Sequence, residues 1–323
     1  MAESLISPGV LASENDNSFV SQGPIRNSAA ILGPTVIGPV EVPTIVTSYS
    51  DYTNKFGSTF LSASNVYSFF TSITAYNYFA NGGETLLVTR VASGSYTSAT
   101  SSFISGSTAG AIASGSAFTL TTISEGANMN TGLSVDANNA FNTRLSASIH
   151  SVRFQIVSPN TASGTFNLYI RRGDDDDRNP AILETYTGLS MDPLDDNYVA
   201  KRIGDYRFQQ TRVDGEDTLQ ITGTYPNKSR YIRVGQVVKP TPQYLVGGVP
   251  VTSYTSSIPG ALGANVTGSF VGGTGELVAG ALFYDTITAT NAGGTNLIFF
   301  RNSTLVQAIN IKSDTRVIII EPN

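Results

Sequence analysis

Residues 77–91, NYFANGGETLLVTRV, join the end of a helix to a buried strand. Gly82-Gly83 supplies the left-handed backbone conformation that commonly ends a helix. Residues 85–91, TLLVTRV, follow as a run rich in aliphatic and β-branched side chains, which is typical of a strand buried on both faces. This helix-to-strand unit decides the fold class of the first part of the chain.

Two strand candidates precede this unit. Residues 29–32, AAIL, predict a short buried strand that Gly33-Pro34 ends, and residues 44–47 predict another. Because a strand, a helix and a strand follow one another, we expect a right-handed crossover between parallel strands. The sequence therefore predicts an α/β core over residues 25–92.

The helix of this core is predicted over residues 60–81. Ser62 or Ser64 can cap its N-terminus, since a serine hydroxyl accepts from the free N–H groups of the first turn. Apolar residues at helical spacing then predict one buried face. That face consists of Val66, Phe69, Phe70, Ile73 and Tyr76 or Asn77.

The rest of the chain predicts β structure. Alternation with period two predicts strands at 118–121, 151–157 and 165–170, of which the last two form a hairpin. Later strand candidates are residues 231–238, 277–288, 296–300, 306–311 and 316–320. The predicted organisation, mainly β overall, is an N-terminal arm at 1–24, the α/β core at 25–92, a Ser/Thr/Gly/Ala-rich linker at 93–116, a β-rich inserted domain at 117–210 and a β-rich domain at 211–323.

The amino-acid composition argues against several classes of function. The 323 residues include only 13% charged residues, against about 25% in typical proteins, so the surface suits a protein that lies against neighbours. The net charge of −5 argues against a nucleic-acid partner. Without cysteine, disulfides and thiolate metal sites are excluded. No secretory signal and no apolar run of about 18 residues is present, so we expect a soluble product made without export.

Catalytic motifs are lacking. A Ser-His-Asp triad would have to use His150, the single histidine, which lies at the start of a predicted strand. The chain contains no Gly-x-Ser-x-Gly elbow and no phosphate-binding Gly-rich loop. We therefore predict no catalytic residue, no cofactor and no metal, and His150 is interpreted as a strand-end residue with a local partner.

One short stretch concentrates charge. It comprises Arg171, Arg172, Asp174, Asp175, Asp176, Asp177 and Arg178. Four carboxylates could hold Ca²⁺, but their spacing does not fit an EF-hand loop. A solvated turn with local ion pairs is the favoured interpretation, and charge contacts between subunits are a further possibility.

The first residues predict an arm. Ser7-Pro8-Gly9 and Gly23-Pro24 break regular structure, and little apolar periodicity lies between them. A short strand can form from Leu5, Ile6, Val10 and Leu11. A lone terminal strand has unpaired backbone groups and must find the edge of a sheet. A disordered tail is the alternative interpretation.

Two segments carry motifs in a specific order. The first begins with Ser7-Pro8-Gly9-Val10, continues through Glu14, Asp16 and Ser18, and ends with Asn81-Gly82-Gly83 and the VTRV of residues 88–91. The second runs from FNLYIRRGD at 166–174 through LSMDP at 189–193 to NYV at 197–199. In order and spacing these motifs resemble the contractile tail sheath family over residues 5–92 and 165–206.

The resemblance implies a fold and a mechanism. Family members share a core similar to subtilisin-like hydrolases that does not use their catalysis, together with inserted domains. It thus implies part of a subtilisin-like sheath core with inserted β-rich domains. An N-terminal arm adds a strand to a neighbouring subunit's sheet. The implied protein is not an enzyme: it polymerises as rings and a helix around a tail tube, and contracts to drive the tube through the host envelope.

The resemblance also implies partners and a location. The partners are other copies of the chain, in hexameric rings and a helical stack, and the tail tube, baseplate and tail terminator proteins, with no nucleic acid and no membrane insertion. The location is the virion tail sheath, after synthesis in the host cytoplasm. The implied linking arm comprises Ser7, Pro8, Gly9, Val10, Leu11, Glu14 and Asp16. The family's C-terminal core and second arm are not recognisable before residue 323.

Two other functions remain as alternatives. The Thr/Gly/Ser-rich region after residue 211 would suit a receptor-binding or adhesive β-rich virion protein, which predicts trimers or glycan binding. A subtilisin-like hydrolase would need a further histidine or a nucleophile motif, and the sequence has neither.

Overall fold

The computed structural model describes residues 29–62, 65–92, 95–101, 117–132, 147–213, 216–260, 266–275 and 316–319. The strands are β1 (Ala29–Gly33), β2 (Thr44–Val46), β3 (Phe60–Ser62), β4 (Asn65–Tyr67), β5 (Leu86–Arg90), β6 (Ser98–Ser101), β7 (Phe118–Glu125), β8 (Val152–Asn160), β9 (Thr165–Arg172), β10 (Ile182–Ser190), β11 (Arg207–Val213), β12 (Glu216–Thr222), β13 (Ile232–Val237), β14 (Leu245–Val246), β15 (Val249–Pro250), β16 (Val266–Gly268), β17 (Phe270–Val271) and β18 (Arg316–Ile319). The helices are α1 (Tyr49–Phe56), α2 (Phe70–Ala80), α3 (Val199–Ile203) and α4 (Thr252–Thr255), with a short 3₁₀ helix at Ala127–Met129. The protein is mainly β, as predicted.

The predicted α/β core contains a four-stranded sheet in the order β18-β1-β5-β2. β1 runs parallel to β5, as the predicted crossover requires, but β2, the strand that directly precedes the helices, is antiparallel to β5. The crossover prediction is therefore correct for β1 and wrong for β2. All residues of β1 are buried: β18 and β5 pair with its two edges, and α2 packs on one of its faces. β18, from the end of the chain, pairs parallel with the other side of β1.

The predicted start of the helix is wrong. Residues of the predicted first turns form the hairpin of β3 and β4, and α2 begins at Phe70 with Phe69 as its N-cap. Of the predicted apolar face only Phe69 is buried. The rest of that prediction is wrong, because α2 turns the small side chains of Thr71, Ser72 and Ala75 inward. A Cβ on Gly33 of β1 would overlap the hydroxyl of Thr71, so the helix lies too close to the sheet for larger inward side chains.

The predicted end of the helix is confirmed. Gly82 adopts a φ of 84°, and its N–H donates to Phe79 O at 3.1 Å. The N–H of Gly83 donates to Tyr78 O at 3.0 Å. These two bonds form a Schellman motif, which uses the last free carbonyls of the helix and turns the chain toward β5.

The β-rich part is built from two four-stranded sheets with a shared core. Their orders are β10-β9-β8-β16 and β13-β7-β6-β17. Phe118 of the second sheet packs on Phe166 of the first, with ring centroids 5.8 Å apart, and Phe154 meets Phe270 edge-on at 5.9 Å. The antiparallel pairing of β8 with β9 confirms the predicted hairpin.

Strands from both sides of residue 211 enter these sheets. β13 pairs with β7, β16 with β8 and β17 with β6. The two predicted β-rich ranges therefore share one core, and their limits as domains remain a proposal. The candidates at 277–288, 296–300 and 306–311 lie outside the described residues. No helix within the described ranges is long and apolar enough to cross a membrane.

Candidate functional site

The acidic run follows β9 and is organised around a buried ion pair. The Nε and Nη2 atoms of Arg171 donate to the Oδ2 and Oδ1 atoms of Asp175 at 2.8 and 3.0 Å, in a bidentate pair. Arg153 of β8 donates from Nη1 to the carbonyl oxygen of Asp175 at 3.0 Å, and lies 3.3 Å from Oδ1. All three side chains are buried, so Arg171 and Asp175 do not belong to a solvated turn, which was the favoured interpretation of the whole run.

Electrostatics and local backbone explain this geometry. Burial disfavours the charged form of Arg171 and would lower its pKa. The hydrogen bonds that Arg171 donates to Asp175 and Asp177 outweigh burial, so the pKa of the guanidinium is raised. Gly173 allows the tight turn, since a Cβ at that position would overlap the hydroxyl of Ser151. The structure therefore uses Arg171 and Asp175 to hold the turn against β8.

The other charges of the run lie nearer the surface. Arg172 pairs with Asp174, and Asp177, which is 43% exposed, accepts from Arg171 at 2.9 Å. The Oδ1 atom of Asp176 accepts from the backbone N–H of Arg178 at 2.9 Å. Local ion pairs were thus correctly expected. Contacts between subunits through the exposed Arg172, Asp177 and Arg178 and the partly buried Asp174 and Asp176 remain a proposal. Within the described ranges, no group of three or more His, Cys, Asp or Glu side chains is arranged to hold a metal ion.

Arg90 joins the α/β core to the β-rich part. Its Nη1 atom donates to Gly38 O at 2.6 Å and to Glu125 O, at the end of β7, at 2.8 Å. In return the Oε2 atom of Glu125 accepts from Val40 N at 3.2 Å. Burial lowers the pKa of Arg90 to about 10, so the guanidinium stays charged at neutral pH. The arginine of the VTRV motif therefore holds the α/β core against the β-rich part.

His150 makes a second contact across the joint. Its Nε2 atom lies 2.8 Å from Thr59 O, just before β3. Thr59 lies 91 residues away in the sequence, so this partner is not the local one that was predicted. The nitrogen faces a backbone carbonyl and not the nucleophilic hydroxyl of a catalytic triad. Burial lowers the pKa of His150, although the bond to Thr59 and the charge of Asp174 act in the opposite direction.

Acidification is expected to weaken the fold through His150. A folded-state pKa below the ordinary 6.5 means that the unfolded chain binds the proton more tightly, so this contribution to stability is present above pH 6.5 and declines as the pH falls below it. Between about pH 7.5 and about pH 5.5, the urea midpoint should fall more in the wild type than in His150→Gln, whose amide can still donate to Thr59 O. Equal falls in the two proteins would show that His150 does not carry the effect.

A continuous apolar surface covers the outside of the α/β core. It consists of Val66, Tyr67, Phe70, Ile73 and Tyr76, which we call the α2 face. These side chains are between 36% and 66% exposed. Residues 56–83 around them contain no Asp, Glu, Lys or Arg. Large exposed apolar patches are typical of interaction surfaces.

Sequence reasoning found these residues but assigned most of them to the core. The helical spacing of Phe70, Ile73 and Tyr76 is real, but periodicity does not say whether a face meets the sheet or the solvent. The predicted arm, Ser7 to Asp16, lies outside the described residues.

Comparisons with known proteins give limited results. No protein-family model and no curated protein matches the chain. Among solved structures, a sheath tail protein from Listeria innocua aligns at 12% identity and a TM-score of 0.35, over 87% of this chain and 39% of that one. A sheath tail protein from Desulfitobacterium hafniense aligns at 12% identity and a TM-score of 0.27, over 65% of this chain and 35% of that one. The chain thus spans between a third and two fifths of these proteins, and at such scores the likeness carries no argument.

Proposed function

We propose that this chain is a structural subunit of a contractile tail sheath that self-assembles around a tail tube. The observation that carries the proposal is the α2 face, an uncharged apolar surface on the same α/β core that bears the sheath motifs. Its occupant is a second copy of the chain, because another subunit presents the same uncharged apolar chemistry and the chain's low charge favours close packing with neighbours.

The sheath motifs have structural roles that support the proposal. Asn81-Gly82-Gly83 forms the turn between α2 and β5, and Gly33 lets α2 approach β1 closely. Arg90 fastens the core to the β-rich part. These motifs build one compact unit, which a polymer of repeated subunits needs as its rigid element.

Strand exchange and contraction extend the proposal. The arm, Ser7 to Asp16, adds a strand to the sheet of a neighbouring subunit, where backbone hydrogen bonds are each worth about 0.5–1.5 kcal/mol net. Linked subunits then move from a metastable extended packing to a more stable contracted one, without nucleotide or cofactor. The tail tube, baseplate and tail terminator proteins are the further partners, and the virion tail is the location.

Imaging of the purified protein tests the proposal. By negative-stain electron microscopy we expect rings or helical polymers, whereas a receptor-binding protein would form trimers. Deleting residues 1–20 should remove the polymers and leave the circular dichroism spectrum of the folded subunit unchanged, because an arm that pairs with a neighbouring subunit contributes no strand to its own subunit. Trimers or monomers of the full chain would refute the sheath proposal, and normal sleeves of the deletion variant would refute the role of the arm.

A further inference from the structure

A buried arginine lies on the side of the sheet β13-β7-β6-β17 that is turned away from the hydrophobic core, which we call the outer face. Arg233 of β13 stands opposite Thr121 of β7, so the two side chains share one face. The neighbours of Arg233 in β13, Ile232 and Val234, belong to the core, and Arg233 therefore points the other way. Arg233 and Thr121 are nevertheless only 7% and 6% exposed. The outer face thus holds a charged side chain away from solvent.

Two buried polar atoms of the outer face have no hydrogen-bond partner in the described part of the chain. Arg233 donates from Nη2 to Ser98 Oγ at 2.9 Å, but its Nε atom is buried without an acceptor. The hydroxyl of Thr121 is buried without a partner as well. A buried donor that makes no hydrogen bond is unfavourable, and more so when it carries charge. Because directly opposite residues of paired strands are neighbours, one small acceptor could serve both groups.

Positive charge exceeds negative charge around this face. Arg90, Arg207 and Arg233 all act electrostatically on Glu125, and Glu125 is the one described carboxylate that acts on Arg233. Burial lowers the pKa of Arg233 to about 10, and the nearby Arg207 acts in the same direction, so the guanidinium of Arg233 stays charged at neutral pH. Glu125 is already engaged, since its Oε2 atom accepts from Val40 N at 3.2 Å. One carboxylate among three guanidinium groups leaves an excess of positive charge.

The backbone holds Arg207 beside this excess charge. Val234 N of β13 donates to Gly204 O at 2.8 Å, which fixes the segment that leads into β11 against β13. Arg207 is the first residue of β11, and it is exposed. Its charge acts on both Arg233 and Glu125. Arg207 can therefore contact an ion from the solvent side while Arg233 contacts it from within the sheet.

A glycine keeps the neighbouring part of the outer face free of side chains. Gly235 follows Arg233 by two residues in β13. A Cβ on Gly235 would lie 2.9 Å from Thr119 Oγ1 and 3.1 Å from Thr121 Cγ2, so a larger residue would fill the space beside these threonines. Thr119 is partly exposed, and an ion can approach the outer face from that side.

We propose that the outer face is a binding site for one small oxyanion of the phosphate class, held by Arg233 and Arg207. Its oxygen atoms accept from Nε of Arg233, from the guanidinium of Arg207 and from the hydroxyl of Thr121. Guanidinium groups suit such a ligand because their fixed N–H donors match the spacing of phosphate oxygens. A dianion also balances the excess positive charge. The inference is independent of the proposed function, since it requires neither self-assembly nor a tail tube.

Isothermal titration calorimetry of the full-length protein with inorganic phosphate, at about pH 7.5 and constant ionic strength, measures the site directly. We expect saturable binding of one ion per chain. Arg233→Gln should weaken it by about tenfold or more, and Arg207→Gln by less, because water screens an exposed charge. Arg230→Gln is the matched control: Arg230 is exposed, and its removal should leave the affinity unchanged. No saturable binding by the wild type, or equal affinity in the wild type and Arg233→Gln, would overturn the site.

Urea denaturation shows whether Arg233→Gln loses binding without losing the fold. Without phosphate, the variant should unfold at the same urea concentration as the wild type or at a higher one, because it lacks a buried charge without a close counter-charge. With phosphate, the wild-type midpoint should rise and that of the variant should not, since a ligand of the folded state stabilises it. Equal rises in the two proteins would show only the general stabilising effect of phosphate and overturn the site.

Acetate distinguishes a phosphate site from a carboxylate site. It should bind more weakly than phosphate, because it carries a single charge and offers fewer oxygen atoms. Acetate affinity equal to that of phosphate would overturn the assignment to the phosphate class and assign the site to a carboxylate. Failure of the phosphate titration leaves the sheath proposal standing, because imaging of polymers tests that proposal separately.

Discussion

Replacing Asp175 by asparagine should lower the free energy of unfolding by about 3–5 kcal/mol, the largest effect expected of a single substitution here. Its carboxylate is the buried counter-charge of Arg171 and lies 3.3 Å from Arg153, so asparagine keeps the shape and removes the charge. Two guanidinium groups would then share the interior without a buried anion. The measurement is urea denaturation followed by circular dichroism, at neutral pH.

Asp177→Asn is the matched control for this prediction. Asp177 also accepts from Arg171, at 2.9 Å, but its side chain is 43% exposed, and water screens the pair. We expect a change of about 0–1 kcal/mol, as for other exposed ion pairs. If the two variants lose similar stability, the buried pair does not hold the turn as described.

Two glutamates on the α2 face should prevent assembly without unfolding the subunit. Phe70 and Ile73 are both about half exposed in the single chain, so Phe70→Glu with Ile73→Glu should change the free energy of unfolding by no more than about 1 kcal/mol. In an interface between copies the same carboxylates would be buried without partners. The protein concentration needed for assembly should therefore rise by about a hundredfold or more. Light scattering against concentration, with negative-stain images, measures the change.

Glutamates on other exposed apolar residues provide the control. Ile149 and Leu194 are 58% and 75% exposed and lie outside the α2 face. Ile149→Glu with Leu194→Glu adds the same charge and should assemble at the wild-type concentration. Assembly that tolerates the α2-face variant as well as this control would show that the face does not lie between copies.

Local signals predicted the parts of the fold that depend on local chemistry. The double glycine ends α2 because only a residue tolerant of positive φ can close a Schellman motif, and that requirement is visible in Asn81-Gly82-Gly83. The aliphatic runs predicted β1 and β5 as buried strands, and the two pair parallel, whereas the antiparallel pairing of β2 with β5 was not predicted. The expected local partner of His150 is wrong, because its ring meets the carbonyl of Thr59, which is 91 residues away in the sequence.

Other elements of the fold were mispredicted or missed, because they depend on contacts between residues that are far apart in the sequence. The start of α2 was misplaced because residues 60–67 carry aromatic and β-branched side chains that suit a hairpin as well as a helix. The antiparallel pairing of β11 with β12 was not predicted, although Asp214-Gly215 between two strand-like runs is a strong hairpin signal. Residues flanking that dipeptide alternate only weakly in polarity, so the strand signal there is weak.

Composition and periodicity were enough to establish a mainly β protein with an α/β unit, a stop after α2 and a low-charge surface, since each depends on neighbouring residues in the chain. Contacts between distant residues decided which face of α2 is buried. They also decided which of the four consecutive aspartates is buried. Gly33 admits only small side chains beneath the helix, and Arg153 of β8 meets Asp175 only after the sheet has formed. Burial is a property of packed elements, so identical residues in one run can end in opposite environments.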